Sequence, residues 1–222
     1  MRNGQFYRPV RRPSRHHDSE VTRQVILQAA ERIFADEGLE GARTDAIAAA
    51  AGVNKALLYY YFRSKEALYR EVLEDYVADF NRRALELLSS DDSACSVLER
   101  YINLHFDFIA AHPHHGPLFQ RMLMTDQKSW MRLARELGLP RMKAILKVIE
   151  RGKRAGEFRQ MDSFHVAISL VSLIVFYFSS APVLRAVGGI DPYTKTNVER
   201  RRGEVLKFVR HALFTNPESE VQ

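Results

Sequence analysis

A short stretch of the chain combines hydroxyl, aromatic and cationic side chains at helical spacing. Residues 44–65 read TDAIAAAAGVNKALLYYYFRSK. The three consecutive tyrosines and the lysines around them can donate hydrogen bonds to phosphate oxygens or to base edges. Thr44 and Ser64 are placed to begin helices, whose first turns offer free backbone N–H groups to the same kind of anion. This combination points to the recognition of a polyanion.

The apolar spacing places these residues on two short helices. We predict one helix over residues 45–51, with Thr44 as its N-cap, and a second over residues 55–62, with Asn54 as its N-cap. Two short helices joined by a glycine-containing turn form a helix-turn-helix unit, whose second helix enters the DNA major groove. The small inner face that the two helices share consists of Ile47, Ala48, Ala51, Leu58 and Phe62.

The outer face of the second helix is too aromatic and too polar at its tips for a buried surface of so short a helix. It consists of Lys55, Ala56, Leu57, Tyr59, Tyr60 and Tyr61. On DNA, Lys55 could donate to guanine, whereas Ala56 and Leu57 could contact only thymine methyl groups or read shape. The alternative is that the tyrosines pack against other helices and that Lys65 is a solvated charge.

The preceding helix together with the sequence GVNKALLYYYFRSKEALY resembles the DNA-binding domain of the TetR family of transcriptional regulators. The resemblance implies phosphate binding at Thr44, Tyr60, Tyr61 and Lys65. It implies base-facing positions at Lys55, Ala56, Leu57 and Tyr59. The sequence departs from the family at Asp45, where an acid replaces a residue that can donate to a base.

The charge of the chain also favours a polyanionic partner. Lysine and arginine number 33 against 27 acidic residues, which gives a formal net charge of +6. Much of the excess lies in the first eighteen residues, with five arginines and one aspartate. We expect residues 1–20 to form a basic arm that is disordered by itself. The sequence leaves open whether this arm follows DNA or is a solvating tail.

Beyond the arm, apolar residues recur with the 3.6-residue period of helices, and no alternating run predicts a strand. The first helix spans about residues 22–37 and stops at Gly38. The later helices are predicted over residues 65–88, 94–111, 117–137, 140–155, 163–184 and 195–214. The predicted fold is all-α, with a three-helix DNA-binding domain at 21–66 and a helical ligand-binding and dimerisation domain at 67–222.

Two apolar helices close the chain. Residues 166–184 carry no charged side chain, a length that could span a membrane. Four serines and Pro182 argue against a span, so we predict burial in the protein and no membrane partner. The resemblance implies that the last two long helices pair with their copies in a homodimer. A two-fold dimer would match a palindromic operator, whose half-sites lie about one turn apart.

The resemblance further implies a cavity for an inducer among the middle helices. His105 lies on an apolar helix face, where it is either a hydrogen-bonded core residue or a ligand contact. Packing in the core is the alternative for every aromatic residue and methionine considered. The candidate ligand-binding residues are Tyr101, His105, Phe119, Met122, Phe176 and Tyr177.

No catalytic residue is predicted, because the chain contains no GxSxG, HExxH, P-loop or dinucleotide-binding motif. The single cysteine, Cys95, cannot form an intramolecular disulfide and fits a reducing compartment. The run His112, Pro113, His114, His115 predicts a polar loop rather than a metal site. We therefore expect neither a metal nor a cofactor. With no apolar signal segment after the first arginines, the expected location is the cytoplasm.

These observations predict a ligand-responsive transcriptional regulator rather than an enzyme. The predicted form is a repressor that a small-molecule effector releases from double-stranded DNA. The competing hypothesis is a helical adaptor or membrane-surface protein whose basic arm contacts acidic lipid.

Overall fold

The computed structural model describes residues 15–114, 116, 118, 124, 131–132 and 134–217, except for the side chains of residues 15–18 and 76. The helices in this part of the chain are α1 (Arg15–Gly41), α2 (Thr44–Ala50), α3 (Lys55–Phe62), α4 (Lys65–Leu88), α5 (Ala94–Ala111), α6 (Leu139–Arg154), α7 (Ser163–Ser179), α8 (Ala181–Gly188) and α9 (Lys195–Leu213). A π-helical turn, Ala134–Gly138, leads into α6. The only β-structure among the described residues is one isolated bridge between Phe158 and Phe214. The prediction of an all-α fold is confirmed.

The first four helices share one hydrophobic core. The apolar stripe of α1, the inner faces of α2 and α3, and the first half of α4 meet there. Its fully buried side chains include Ile26, Ala30, Phe34, Ile47, Leu58, Phe62 and Leu68. The ring of Tyr69 packs edge-on against Phe34, with the two ring centroids 5.0 Å apart. This packing holds α3 with its opposite face outward.

The first helix differs from the prediction at both ends. It begins at Arg15 rather than at residue 22, so the last residues of the expected disordered arm are helical. Ser19 accepts a hydrogen bond from the Tyr61 hydroxyl at 3.2 Å, a contact with α3 that periodicity cannot reveal. Gly38 does interrupt the helix, with φ of 73° and ψ of −179°, and a further turn follows to Gly41. Residues 1–14 lie outside the described part of the chain.

Two of the three predicted caps are confirmed. The Asn54 side chain accepts from the Leu57 amide at 2.8 Å, and the Ser64 hydroxyl accepts from the Ala67 amide at 3.1 Å. The prediction for Thr44 was wrong, because α2 begins at Thr44 and its N-cap is Arg43, which makes no side-chain cap bond. The Thr44 side chain is buried and is therefore turned towards the protein.

The second core gathers the rest of α4 with α5, α6, α7 and α9. Its fully buried side chains include Tyr101, Phe106, Ile149, Ile174, Phe178 and Phe214. At its edge, Arg210 on α9 donates to both carboxylate oxygens of Glu99 on α5, at 2.6 and 3.0 Å. Helix α4 therefore contributes side chains to both cores and connects them.

The predicted helix over residues 163–184 is wrong as a single element. The chain bends by 59° between α7 and α8. Pro182 stands in the first turn of α8, and proline cannot continue a preceding helix because it lacks an N–H group and its ring clashes with the earlier turn. Within the described part of the chain, no single helix is long and apolar enough to cross a membrane, and α7 with α8 reach that length only as a bent pair.

The predicted helix over residues 117–137 lies largely outside the described residues.

Candidate nucleic-acid interface

The outer face of α3 is exposed while its inner face is fixed in the first core. Leu58 and Phe62 are 0% and 1% exposed, whereas Tyr60 is 78% exposed. Tyr59 is also exposed, and Tyr60 packs edge-on against the Tyr61 ring at 5.4 Å between centroids. The short helix therefore exposes to solvent aromatic rings that could have been buried.

The first turn of α3 carries an ion pair with α2. The Lys55 ammonium lies 3.0 Å from an Asp45 carboxylate oxygen, and both side chains are exposed. Of the two neighbouring residues predicted to face bases, Ala56 is exposed and Leu57 is half-buried. The acid that departs from the family pattern thus has a basic partner on the same surface.

A shallow depression lies beside α3, where the first turns of α2 and α4 meet. It is lined by Ala42, Arg43, Thr44, Asp45, Tyr59, Arg63, Ser64, Lys65 and Glu66. The Thr44 and Tyr59 hydroxyl oxygens are 3.4 Å apart within it. The Glu66 carboxylate at the rim accepts hydrogen bonds from its own backbone N–H group and from the Ser64 hydroxyl. These bonds hold the pKa of Glu66 below its usual range. Hydroxyls, cations and helix N-termini converge here, a set of groups that binds phosphate.

Sequence reasoning missed Arg43 and Arg63 in this depression. Arg63 has a positive φ of 59°, and no other described residue apart from glycines does. A side chain at positive φ costs roughly 1 kcal/mol, which a glycine would avoid. A signal for Arg63 was present, because a basic residue directly before the Ser64 cap must lie beside the N-terminus of α4.

Two predicted phosphate contacts have partners within the protein. The Lys65 ammonium donates to the carbonyl oxygens of Glu40 and Ala42, at 3.3 and 3.2 Å, so it sits at the C-terminal end of α1. Tyr61 is half-buried and donates to Ser19. Both side chains still border the exposed surface, but each also joins α1 to the helix-turn-helix.

The candidate ligand-binding residues are not all brought together. Tyr101 and His105 lie side by side in the second core, with ring centroids 5.7 Å apart. Tyr177 is half-buried and packs under Arg201, whose guanidinium carbon is 5.4 Å from the ring centroid. Phe176 is 72% exposed on α7, so it lines no interior space of this protomer. Phe119 and Met122 lie outside the described residues.

The histidine run gathers no metal site among the residues that the structure describes. The His112 Nδ1 atom donates to the Phe108 carbonyl oxygen at 2.7 Å, which closes the end of α5. Cys95 is a half-buried free thiol.

The last helices expose several large apolar side chains. The prediction that residues 166–184 are buried is correct for one face only, which includes Ala167, Leu170 and Ile174. Between α7 and α9 lies a groove of about 330 Å³ that is lined mainly by apolar side chains. The large apolar side chains exposed on α7, α8 and α9 are Phe164, Ile168, Phe176, Val183, Val187 and Phe208. Large apolar side chains grouped on an exposed surface are typical of sites where proteins associate.

Comparison with known proteins agrees with this two-part architecture. Residues 26–72 match the family described as bacterial regulatory proteins, tetR family, and residues 96–209 match the tetracyclin repressor-like C-terminal domain. The repressor NicS of Pseudomonas putida, described as an HTH-type transcriptional repressor, is 30% identical over 187 residues, which cover 80% of this chain and 85% of that protein.

Solved structures of similar fold include two regulators with bound ligands. A putative transcriptional regulator from Saccharomonospora viridis in complex with choline has a TM-score of 0.71 at 22% identity, covering 89% of this chain and all of that one. FadR of Bacillus subtilis in complex with stearoyl-CoA has a TM-score of 0.65 at 18% identity, covering 82% and 96%. These likenesses establish the fold, and the sequence matches establish the family. The chain belongs to the TetR family of transcriptional regulators, which sets aside the adaptor hypothesis.

Proposed function

We propose that the protein is a homodimeric repressor that binds a palindromic operator and leaves it when a small-molecule effector binds. The observation that carries this proposal is the outer face of α3, where Tyr59 and Tyr60 are exposed although the helix is firmly anchored by Leu58 and Phe62. Exposing aromatic rings on a rigid helix costs solvation free energy, so the surface is suited to a partner. The width of the major groove admits one such helix.

The proposed roles follow from the surface. Lys55, Ala56, Leu57 and Tyr59 face bases, and Thr44, Tyr60, Tyr61 and Lys65 line the flanking phosphate contacts. Arg43 and Arg63 join them, because both border the depression beside α3. Thr44 acts chiefly by holding the Tyr59 hydroxyl, since its own side chain is buried.

Dimerisation is proposed through α7 and α9, the last two long helices, with α8 at the edge. The exposed apolar side chains of Phe176 and Phe208 support this assignment, since a second protomer would cover them. The groove between α7 and α9 offers space for side chains of the partner. Two copies related by a two-fold axis would present two α3 helices to the two halves of a palindrome.

Effector release is proposed to act through α4. Leu68 and Val72 of this helix lie in the first core, whereas Phe80 and Ala84 lie in the second. An effector that binds one arrangement of the second core better than another would shift the position of the DNA-binding domain through α4. The similar protein NicS is described as a repressor, which supports the proposed sign of regulation. Two regulators of similar fold have choline or stearoyl-CoA bound, which supports binding of a small molecule by this fold.

Selection of bound duplexes from a random DNA pool tests the proposal. We expect the recovered sequences to share an inverted repeat whose half-sites lie about one helical turn apart. Sedimentation should show a dimer in solution, and Phe208→Glu should yield monomers with much weaker operator binding. Recovery of sequences without two-fold symmetry, or a monomeric wild-type protein, would contradict the proposal. Glu204→Gln, an exposed change on the same helix, is the matched control.

A further inference from the structure

A half-buried arginine beside the second core has no acidic partner among the described residues. Arg141 lies in the first turn of α6, and its guanidinium carbon stands 5.0 Å from the centroid of the buried Phe80 ring. No described carboxylate forms an ion pair with Arg141, whereas several exposed arginines of the described chain do have such partners. A cation removed from water without a counter-charge is costly, and the first turn of a helix disfavours a positive charge further.

The orientation of Arg141 is set by a neutral side chain. Its Nη1 atom donates to Asn81 Oδ1, and Asn81 is itself 4% exposed. The Asn81 amide nitrogen donates to the Leu137 carbonyl oxygen at 2.7 Å, just before α6. Both ends of the Asn81 amide are therefore used, which holds the guanidinium in place. The remaining N–H groups of Arg141 have no carboxylate to bind within the described residues.

A second hydrogen-bond donor that no described group accepts lies beside it. The Tyr101 hydroxyl is completely buried, and no described acceptor receives its proton. Burial raises the pKa of Tyr101, and the Arg141 guanidinium partly opposes that effect through its charge and through a hydrogen bond to the tyrosine oxygen. Two adjacent groups thus keep donor hydrogens that no described acceptor binds. Buried polar groups are otherwise almost always paired.

The side chains that pack around these donors are aromatic. The Phe80 ring centroid lies 4.6 Å from that of His105 and 6.4 Å from that of Tyr101. A molecule that satisfied both donors would need an anionic acceptor at one end and an apolar body at the other. A carboxylate can accept from a guanidinium and a hydroxyl at once, through its two oxygens.

We propose that Arg141 and Tyr101 form a carboxylate-binding subsite for a small organic acid with an apolar body. The proposal rests on the sensing role proposed above for the second domain, and it identifies the chemical class of the effector. Asn81 is a positioning residue, because it acts on the acid only through Arg141.

Thermal unfolding of the full chain tests the subsite with benzoate as the probe and benzamide as its neutral counterpart. We expect millimolar benzoate to raise the melting temperature in a saturable manner and benzamide to have no such effect, because binding to the native state stabilises it. Inorganic phosphate at equal ionic strength should not reproduce the shift. Equal shifts with phosphate, or none with benzoate, would overturn the proposal.

Variants separate binding from stability. Arg141→Met should abolish the rise in melting temperature that benzoate causes. The control, Arg151→Met on the same helix, should keep that rise. Arg151 donates to the carbonyl oxygens of Ser90 and Asp92, so this control also removes structural hydrogen bonds of an arginine. Tyr101→Phe should weaken benzoate binding about tenfold and yet raise the melting temperature of the free protein, since it removes a buried hydroxyl whose proton no described group accepts. A merely structural role for Tyr101 would not produce these opposite effects. An unchanged benzoate affinity in Arg141→Met would overturn the proposal.

DNA binding supplies the independent readout. Arg141→Met should retain operator affinity, because Arg141 contacts Asn81 and Phe80 of α4, where that helix packs in the second core rather than in the first. Failure of benzoate to bind while the operator is still recognised would reject only the carboxylate subsite. Failure to recognise any operator would reject the proposed function and leave the benzoate measurement interpretable by itself.

Discussion

The outer face of α3 and the Arg141 cluster handle charge in opposite ways. On α3, Lys55 is exposed and pairs with Asp45, although water alone would solvate it. Beside the second core, Arg141 is half-buried and pairs with no described acid; it donates to the neutral Asn81 side chain. An exposed ion pair contributes little to the stability of the fold because water screens it. A buried donor without an acceptor, in contrast, keeps its full desolvation cost. The comparison teaches that an exposed site is found by its composition, and a buried site by what its groups lack.

The largest effect should separate the two faces of α3. Phe62→Ala removes a fully buried ring from the first core and should lower the free energy of unfolding by about 3–5 kcal/mol. Tyr60→Ala, two positions earlier, should change it by less than about 0.5 kcal/mol because its ring is exposed. Chemical denaturation measures both. The same Tyr60→Ala protein should bind the operator more weakly, and unchanged affinity would remove Tyr60 from the interface.

Lys65→Ala should affect both stability and DNA binding. Loss of its bonds to the Glu40 and Ala42 carbonyl oxygens should cost about 1 kcal/mol of stability. Loss of one phosphate contact should reduce the slope of log affinity against log salt by about 1, for specific and random duplexes alike. Titrations at several salt concentrations measure the slope. Lower stability with an unchanged slope would assign Lys65 a structural role alone.

Arg63→Gly should have opposite effects on the two properties. Glycine adopts the positive φ of this position without strain, so the free energy of unfolding should rise by up to about 1 kcal/mol. Operator affinity should fall, because the guanidinium that borders the depression beside α3 is lost. Denaturation and a mobility shift on the same preparation are sufficient. Arg159→Gly, at an exposed position of the second domain, is a control for the loss of charge.

The smallest effect concerns the thiol of the second domain. Burial, and then the neighbouring Glu157 carboxylate, raises the pKa of Cys95 to about 12. At pH 8 only about one thiol in ten thousand would therefore be ionised, and the thiolate is the reactive form. Iodoacetamide should label the folded protein very slowly and the unfolded protein readily, with the folded rate rising as pH increases. Rapid labelling of the folded protein would show that the thiol is more accessible and more acidic than this.

Local structure was largely predictable from the sequence. The bounds of α3 and α5, and the caps at Asn54 and Ser64, agree with the structure because each depends on residues within one or two turns. The break between α7 and α8 was missed although Pro182 was noticed, since the apolar run masked the end of the helix. The partners of Tyr61 and Lys65 could not be predicted, because Ser19 and the end of α1 are distant in sequence.

Residue types and their period by themselves determined that the chain is helical, that a short aromatic helix follows a glycine turn, and which side of that helix is apolar. Only the tertiary structure decided which tyrosine is exposed, which lysine binds the end of another helix, and which arginine has no acidic partner among the described residues. The reason is physical. Helix formation depends on neighbours along the chain, whereas the pairing of a polar group depends on whichever elements the folded core brings against it.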